Sequence, residues 1–136
     1  MTTKAQSIIT AMASALAGAG LNVRDDTDAI FNFENYPVIV LDCGDEVSSP
    51  VVGLGYVYWN LTVTLQIGAE GAAPKMAPEP TRATAHTALY ADRTLGGAAI
   101  DLSITQVTRG IDQENPAAGI TLATYLVKYR ALEGTI

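Results

Sequence analysis

One cysteine, one histidine and one tryptophan are all that 136 residues hold of the side chains most often recruited for chemistry. Cys43 alone cannot close an internal disulfide, and with His86 it supplies too few ligands for a structural zinc site unless subunits share them. Disulfide scaffolds and ordinary zinc modules are therefore excluded. Positive charge is scarce too: 8 Lys and Arg stand against 14 Asp and Glu, for a net charge of -6. Such a balance argues against an electrostatic grip on nucleic acid, which needs clustered cations. No stretch reaches the roughly 18 uninterrupted apolar residues of a membrane span, and no internal repeat is visible. The length suits one domain, residues 1–136, able to bury roughly two-thirds of its unfolded surface. Charge of either sign is low at 16%, whereas 49% of residues are hydrophobic. Much of that excess is alanine, and we read it as surface hidden in an assembly.

The opening residues imitate a secretory signal through Lys4, the run from Ile8 to Ala17 and the Ala15-Leu16-Ala17 triplet. A signal core has no need of two faces, however, and this segment has them. Thr3, Gln6, Ser7, Thr10 and Ser14 form a polar stripe opposite Ala5, Ile8, Ile9, Met12, Leu16 and Ala19. The spacing predicts a folded amphipathic helix, capped by Thr2 or Thr3 and ended by Gly18 with Gly20. The Asn60-Leu61-Thr62 sequon is then an accidental match in an unsecreted chain.

A short strand at Leu21 to Arg24, a polar turn at Asp25, Asp26 and Asp28, and a Tyr36-Pro37 break are expected next. The β-branched run Val38 to Leu41 reads as a buried strand, closed by Asp42 to Glu46. Residues 44–55 carry Gly44, Ser48, Ser49, Pro50, Gly53 and Gly55, predicting a loop or a long hairpin arm. From Tyr56 to Ile67 the period is two: Val57, Trp59, Leu61, Val63, Leu65 and Ile67 alternate with Tyr56, Tyr58, Asn60, Thr62, Thr64 and Gln66. That is a strand with one core face and one partly wet face. The prolines of Gly68 to Pro80 predict a mobile connection. A second helix follows, with Thr81 as its cap and Ala85, Ala88, Leu89, Asp92 and Leu95 near one face until Gly96-Gly97 stop it. Strands at Ile100 to Thr105 and Ile120 to Tyr129 flank a long hairpin loop, Arg109 to Gly119. Helices and strands in blocks predict an α+β fold: a mostly antiparallel or mixed sheet, two helices packed on one face, and extended hairpin arms.

Little of this carries chemistry. Cys43 and His86 could form a small catalytic centre only if the fold joined them; otherwise they are a small thiol and a helix-surface imidazole. The aspartates at 25, 26 and 28 lack the central glycine and terminal Glu of an EF-hand loop. Gly53-Leu54-Gly55 precedes a strand and cannot aim helix amides at a phosphate. Asp42 with Asp45 or Glu46 shows no facing pair across a cleft. We expect no catalytic residue, no metal and no cofactor. Tyr56, Tyr58, Tyr125 and Tyr129 are the candidates for contact: tyrosines on the less buried face of a sheet offer stiff area with a polar tip. Ordinary cross-strand aromatic pairing accounts for them equally well. Pro50 and Val51 in one arm, and Asp112 and Glu114 in another, complete the candidate interface.

Ala91-Asp92-Arg93-Thr94-Leu95-Gly96-Gly97, the strand after it, the hairpin loop, and a last strand ending Val127-Lys128-Tyr129-Arg130 before Glu133-Gly134 resemble the tail terminator proteins of long-tailed bacteriophages. These are also called tail completion or minor tail protein U-like proteins. The resemblance extends loosely over the whole chain. It implies a structural, non-enzymatic α+β subunit that forms a hexameric ring on the head-proximal end of the tail tube, stops tube polymerisation and docks the head-to-tail connector or neck protein. DNA would pass through the lumen without specific binding, and the subunit would reside in the virion tail after assembly in the host cytoplasm. Low charge and the long connection depart from that pattern, so it does not place residues on the tube, connector or lumen face. The alternatives are another neck, tube or baseplate ring or adaptor, and a small enzyme centred on Cys43 or His86.

Overall fold

Thr3 opens the first helix, α1 (Lys4–Gly18), in a reciprocal box: its hydroxyl accepts from the Gln6 N–H at 3.1 Å, and the Gln6 side chain accepts from the Thr3 N–H at 2.8 Å. Both amides would otherwise face no helical carbonyl. Thr3→Ala is expected to lower stability by about 1 kcal/mol, read from the midpoint of urea unfolding. Ile8, Met12 and Leu16, four apart and so on one stripe, are fully buried. The computed structural model describes residues 3–24, 37–50, 55–113 and 115–132. The aspartate turn at 25–28, Tyr36, Val51 and Glu114 lie outside the described residues.

Strand β1 (Val23–Arg24) runs parallel to β2 (Val38–Pro50), followed in the chain by β3 (Tyr56–Glu70), helix α2 (Glu79–Ala91), β4 (Asp101–Ile111) and β5 (Ala118–Leu132). In space the order is β1-β2-β3-β5-β4, with every pairing after the first antiparallel. This is an α+β fold with a mixed sheet. The period of two predicted for β3 decides which face is dry. Leu61, Val63, Leu65 and Ile67 pack with Ala123, Tyr125 and Val127 of β5, Ile39 and Leu41 of β2, and the apolar stripes of both helices, including Ala85 and Leu89 of α2. Each large side chain so buried contributes about 1.5–3 kcal/mol of transfer free energy. The alternate residues Tyr58, Asn60, Thr62, Thr64 and Gln66, with Leu122, Thr124 and Leu126, remain partly exposed on the second face. No helix among the described residues covers that face.

Several expectations are corrected, mostly because strands outran their local signals. Of the two expectations for residues 44–50, the long hairpin arm holds and the loop does not: β2 continues through a bulge between Cys43 and Glu46 and pairs as far as Pro50 with Val57. Backbone pairing to a strong neighbour overrides the low β-propensity of Gly, Asp and Ser. Likewise β4 and β5 extend into the expected 109–119 loop, pairing Arg109 with Thr121 and Ile111 with Gly119. The Gly68 to Pro80 connection is also structured, as β3 reaches Glu70, a 3-10 turn spans Pro74–Met76, and α2 begins at Glu79. Proline is compatible with a first helical turn because that N–H has no partner to lose. Pro80 accordingly sits in that first turn, Pro78 holds the cap position without a side-chain bond, and Thr81 lies inside the helix rather than capping it.

The helix does not run to the double glycine as expected: α2 ends at Ala91, Asp92 is extended, and Gly96-Gly97 belong to a separate 3-10 turn, Leu95–Gly97. The Asp92 carboxylate accepts from the Thr94 N–H, the Thr94 hydroxyl and the Gly96 N–H, which holds its pKa below the usual value. Gly96 and Gly97 then take φ of 70° and 95°. Leu95 is forced to a φ of 52° yet is buried against the core, so its packing offsets a backbone conformation that leucine rarely adopts. Asp92 itself is therefore an exposed turn residue rather than part of a helix face.

One buried group is badly matched. The Thr121 hydroxyl is fully buried on the core side of β5 and finds no hydrogen-bond partner. Thr121→Val keeps the shape and removes that desolvated hydroxyl, so it is expected to raise stability by about 1 kcal/mol in urea unfolding.

Candidate assembly surface

Antiparallel pairing of β3 with β5 decides where each tyrosine points. Tyr58 lies opposite Arg130, Asn60 opposite Lys128, and Trp59 opposite Tyr129. Because side chains alternate, Tyr56, Tyr58, Lys128 and Arg130 share the helix-free face, while Trp59 and Tyr129 share the helix-bearing one. On the first face the cations lie over rings: Arg130 is 4.6 Å from the Tyr56 ring centre and Lys128 is 5.0 Å from that of Tyr58. Cation–π contact of this kind is worth about 0.5–1 kcal/mol at exposed sites. Neither cation makes an ion pair among the described residues. By contrast Arg82 and Arg109 share Glu79, at 2.9 and 2.7 Å, and Arg93 meets Asp101 at 2.9 Å. Hydrogen bonds from Arg82 and Arg109 hold the Glu79 carboxyl below its usual pKa, fastening α2 to β4.

Tyr125 and Tyr129 are not on the less buried face. They are 0% and 4% exposed, on the core side, because odd-numbered β5 residues point toward the helices. The Tyr125 hydroxyl lies 3.0 Å from His86 Nδ1, and His86 stacks on Tyr90 with ring centres 4.1 Å apart. Tyr90 in turn accepts from the Ile104 N–H at 3.0 Å, beside the β4 bulge at Ile104/Gln106. A polar relay thus ties α2 to both strands of the last hairpin. Tyr129 donates to Glu46 Oε1 at 2.9 Å. Burial, then the charge of Tyr90, raises the Tyr125 pKa to about 12. Burial, then the Glu46 bond and charge, pushes Tyr129 well above its ordinary value. With folded values raised, the stabilising contribution is complete below the unfolded value near 10 and is lost as pH rises through the folded range. Two of the 6 tyrosines are therefore expected to resist ionisation at about pH 11 in a phenolate absorbance titration, ionising together with alkaline unfolding.

Trp59, Tyr129, Glu46, Thr3 and Ala5 line a cleft of about 250 Å³ between the start of α1 and this end of the sheet. Cys43 is exposed on β2, with its thiol pKa raised by burial and by the carboxylates of Glu46 and Asp42, which disfavours the thiolate. Cys43 pairs with Val63, and Val63 with Tyr125, the partner of His86. Cys43 and His86 are thus not brought together: two inter-strand spacings, roughly 10 Å, lie between Cys43 and Tyr125. Among the described residues no group of three or more His, Cys, Asp and Glu side chains could hold a metal ion. No helix among them is long and apolar enough to cross a membrane.

Pro50 closes β2 opposite Val57, at the same end of the sheet as the cation and tyrosine ladder. Asp112 lies at the opposite tip, where its N–H donates to the Ala118 carbonyl and narrows the β4–β5 turn. The sequence reading missed Lys128, Arg130, Trp59 and Glu46 as surface features. The alternation put Lys128 and Arg130 on one face of β5, but only the pairing with β3 put that face beside Tyr58; Glu46 required the bulge, which no local pattern announces.

No family model matches the chain, and no curated protein is similar to it. Among solved structures it is similar in outline to a chain of the virion of a native gene transfer agent particle, at 12% identity and a TM-score of 0.49, over 90% of this chain and 92% of that one.

Proposed function

We propose that this chain is a single-domain structural subunit of a phage-like virion: a tail terminator that closes into a hexameric ring at the head-proximal end of the tail tube. Its role there is to stop tube polymerisation and to offer a docking surface to the head-to-tail connector. The observation that carries the reading is the disposition of the sheet. Both helices serve one face, while the other presents a ladder of threonine, amide, tyrosine and cationic side chains across β3 and β5. That is a broad contact surface, and association of this kind uses stiff aromatic and arginine anchors. The Asp92 to Gly97 turn, fixed by the Asp92 carboxylate, leads the chain into β4 over the segment that carries the resemblance. An acidic subunit further suits a channel through which DNA slides, because fixed anions do not hold phosphates.

Particles assembled without this chain, followed by imaging of labelled complete particles, test the proposal. The expected result is tails of uncontrolled length that fail to join capsids, with the label at the upper end of the tail. Normal tails that still join capsids would sink it, and a label at the baseplate or along the tube would make the chain another virion adaptor.

A further inference from the structure

The two faces of one sheet end carry opposite chemistry. On the helix-bearing side, Trp59 and Tyr129 stand opposite each other across β3 and β5, with the exposed Glu46 carboxylate at the wall of an open cleft of about 250 Å³. Two aromatic rings beside one carboxylate form the recognition chemistry for an organic cation such as a guanidinium. Glu46 Oε1 is engaged by the Tyr129 hydroxyl at 2.9 Å, which fixes the carboxylate against the ring. On the reverse side of the same strands stand Arg130 and Lys128, exposed and without an ion pair among the described residues. Of the other arginines, Arg82, Arg93 and Arg109 are committed to Glu79 and Asp101, whereas Arg24, exposed on β1, stands apart from the tyrosine ladder that Arg130 and Lys128 share.

We infer that the Trp59, Tyr129 and Glu46 cleft is the socket for the Arg130 guanidinium of a second copy of this chain. Charge complementarity selects the occupant, since Arg130 and Lys128 are adjacent on one face of β5 and the cleft is anionic and aromatic. Because plug and socket lie on opposite faces of one molecule, the contact is heterologous: each copy uses its plug on one neighbour and its socket on the other. Such a contact closes into a ring when the rotation per subunit permits and continues as a filament when it does not. The inference rests on the self-assembly part of the proposed function and gives it an atomic contact.

Trp59 is the sole tryptophan, so its emission reports the socket directly. The experiment follows solution mass by light scattering, and Trp59 emission, across a dilution series of the full chain. Wild type is expected to associate with a concentration-dependent change in emission. Arg130→Glu and Glu46→Arg should each weaken association about tenfold or more, and the two combined in one chain should restore it. Glu46→Gln, which retains an acceptor for Tyr129 and loses the charge, should weaken association without loss of the folded circular dichroism spectrum. Association unaffected by the single variants, or a folded double variant that stays weak, overturns the contact while leaving the virion role untouched. A wild type that remains monomeric throughout, even where added ethylguanidinium saturates a change in Trp59 emission, overturns a second copy as occupant. Failure of the virion reading is instead registered by particle morphology, independently of these masses.

Discussion

Gly119→Ala is expected to destabilise the protein by about 3 kcal/mol, a shift of roughly 10 °C in the thermal midpoint for a domain of this size. A Cβ built on Gly119 would overlap the Pro74 carbonyl oxygen and also crowd the Pro74 carbonyl carbon at 2.6 Å and the Lys75 nitrogen at 3.3 Å. These are backbone atoms, so no side-chain rotation relieves the overlap. Either the Pro74–Met76 turn lifts from β5 or the last hairpin bends, and either loses contacts at the point where α2 is delivered to the sheet. Gly110, on the neighbouring strand, supplies the control. A Cβ there meets nothing within 4 Å, so Gly110→Ala is expected to change stability by no more than about 0.5 kcal/mol. Equal urea midpoints for Gly119→Ala and wild type would mean that the turn is not seated on β5.

The second large effect is at Tyr125. Tyr125→Ala removes one of the largest fully buried side chains and leaves a cavity beneath α2, at an expected cost of about 4 kcal/mol. Tyr125→Phe separates ring from hydroxyl. It retains the packing and leaves His86 without its 3.0 Å partner, which costs about 1 kcal/mol for an unmade hydrogen bond. Urea unfolding of both variants distinguishes the contributions: a wide gap between them means that Tyr125 holds the fold by volume, and a small gap places the stabilisation in the His86 relay. Tyr125→Phe also removes the phenol that ionises near 12, so alkaline titration of this variant should lose one of the two protected groups.

These two positions also show how much of the site was legible in advance. Tyr125 was singled out by residue type and assigned to the wrong face. The β5 alternation already placed it with Val127 and Tyr129, but nothing local says which alternate set meets the helices, since Leu122 and Leu126 are equally apolar. Burial chose the set that extends the Leu61, Val63, Leu65 and Ile67 face across the sheet. Gly119 was read as part of a loop, and its requirement for a missing side chain depends on Pro74, more than forty positions earlier in the chain. The hairpin arm at residues 44–50 was legible as one of two alternatives, but its bulge and the cleft at Glu46 were not, because a bulge and a pairing register exist only once two strands meet.

What the amino-acid order determined by itself was local and periodic. It specified a start for α1 at Thr2 or Thr3, the dry face of β3, a sharp turn at Gly96-Gly97 and the α+β class, each of which rests on neighbours within a few residues and on a hydrophobic repeat. What tertiary structure alone decided was the lengths of β2, β4 and β5, the inward turn of Tyr125 and Tyr129, and the pairing of Glu46 with Tyr129. Those outcomes depend on contacts between residues far apart in the chain, where backbone hydrogen bonding and shared burial outweigh the weak local preferences of glycine, serine and aspartate.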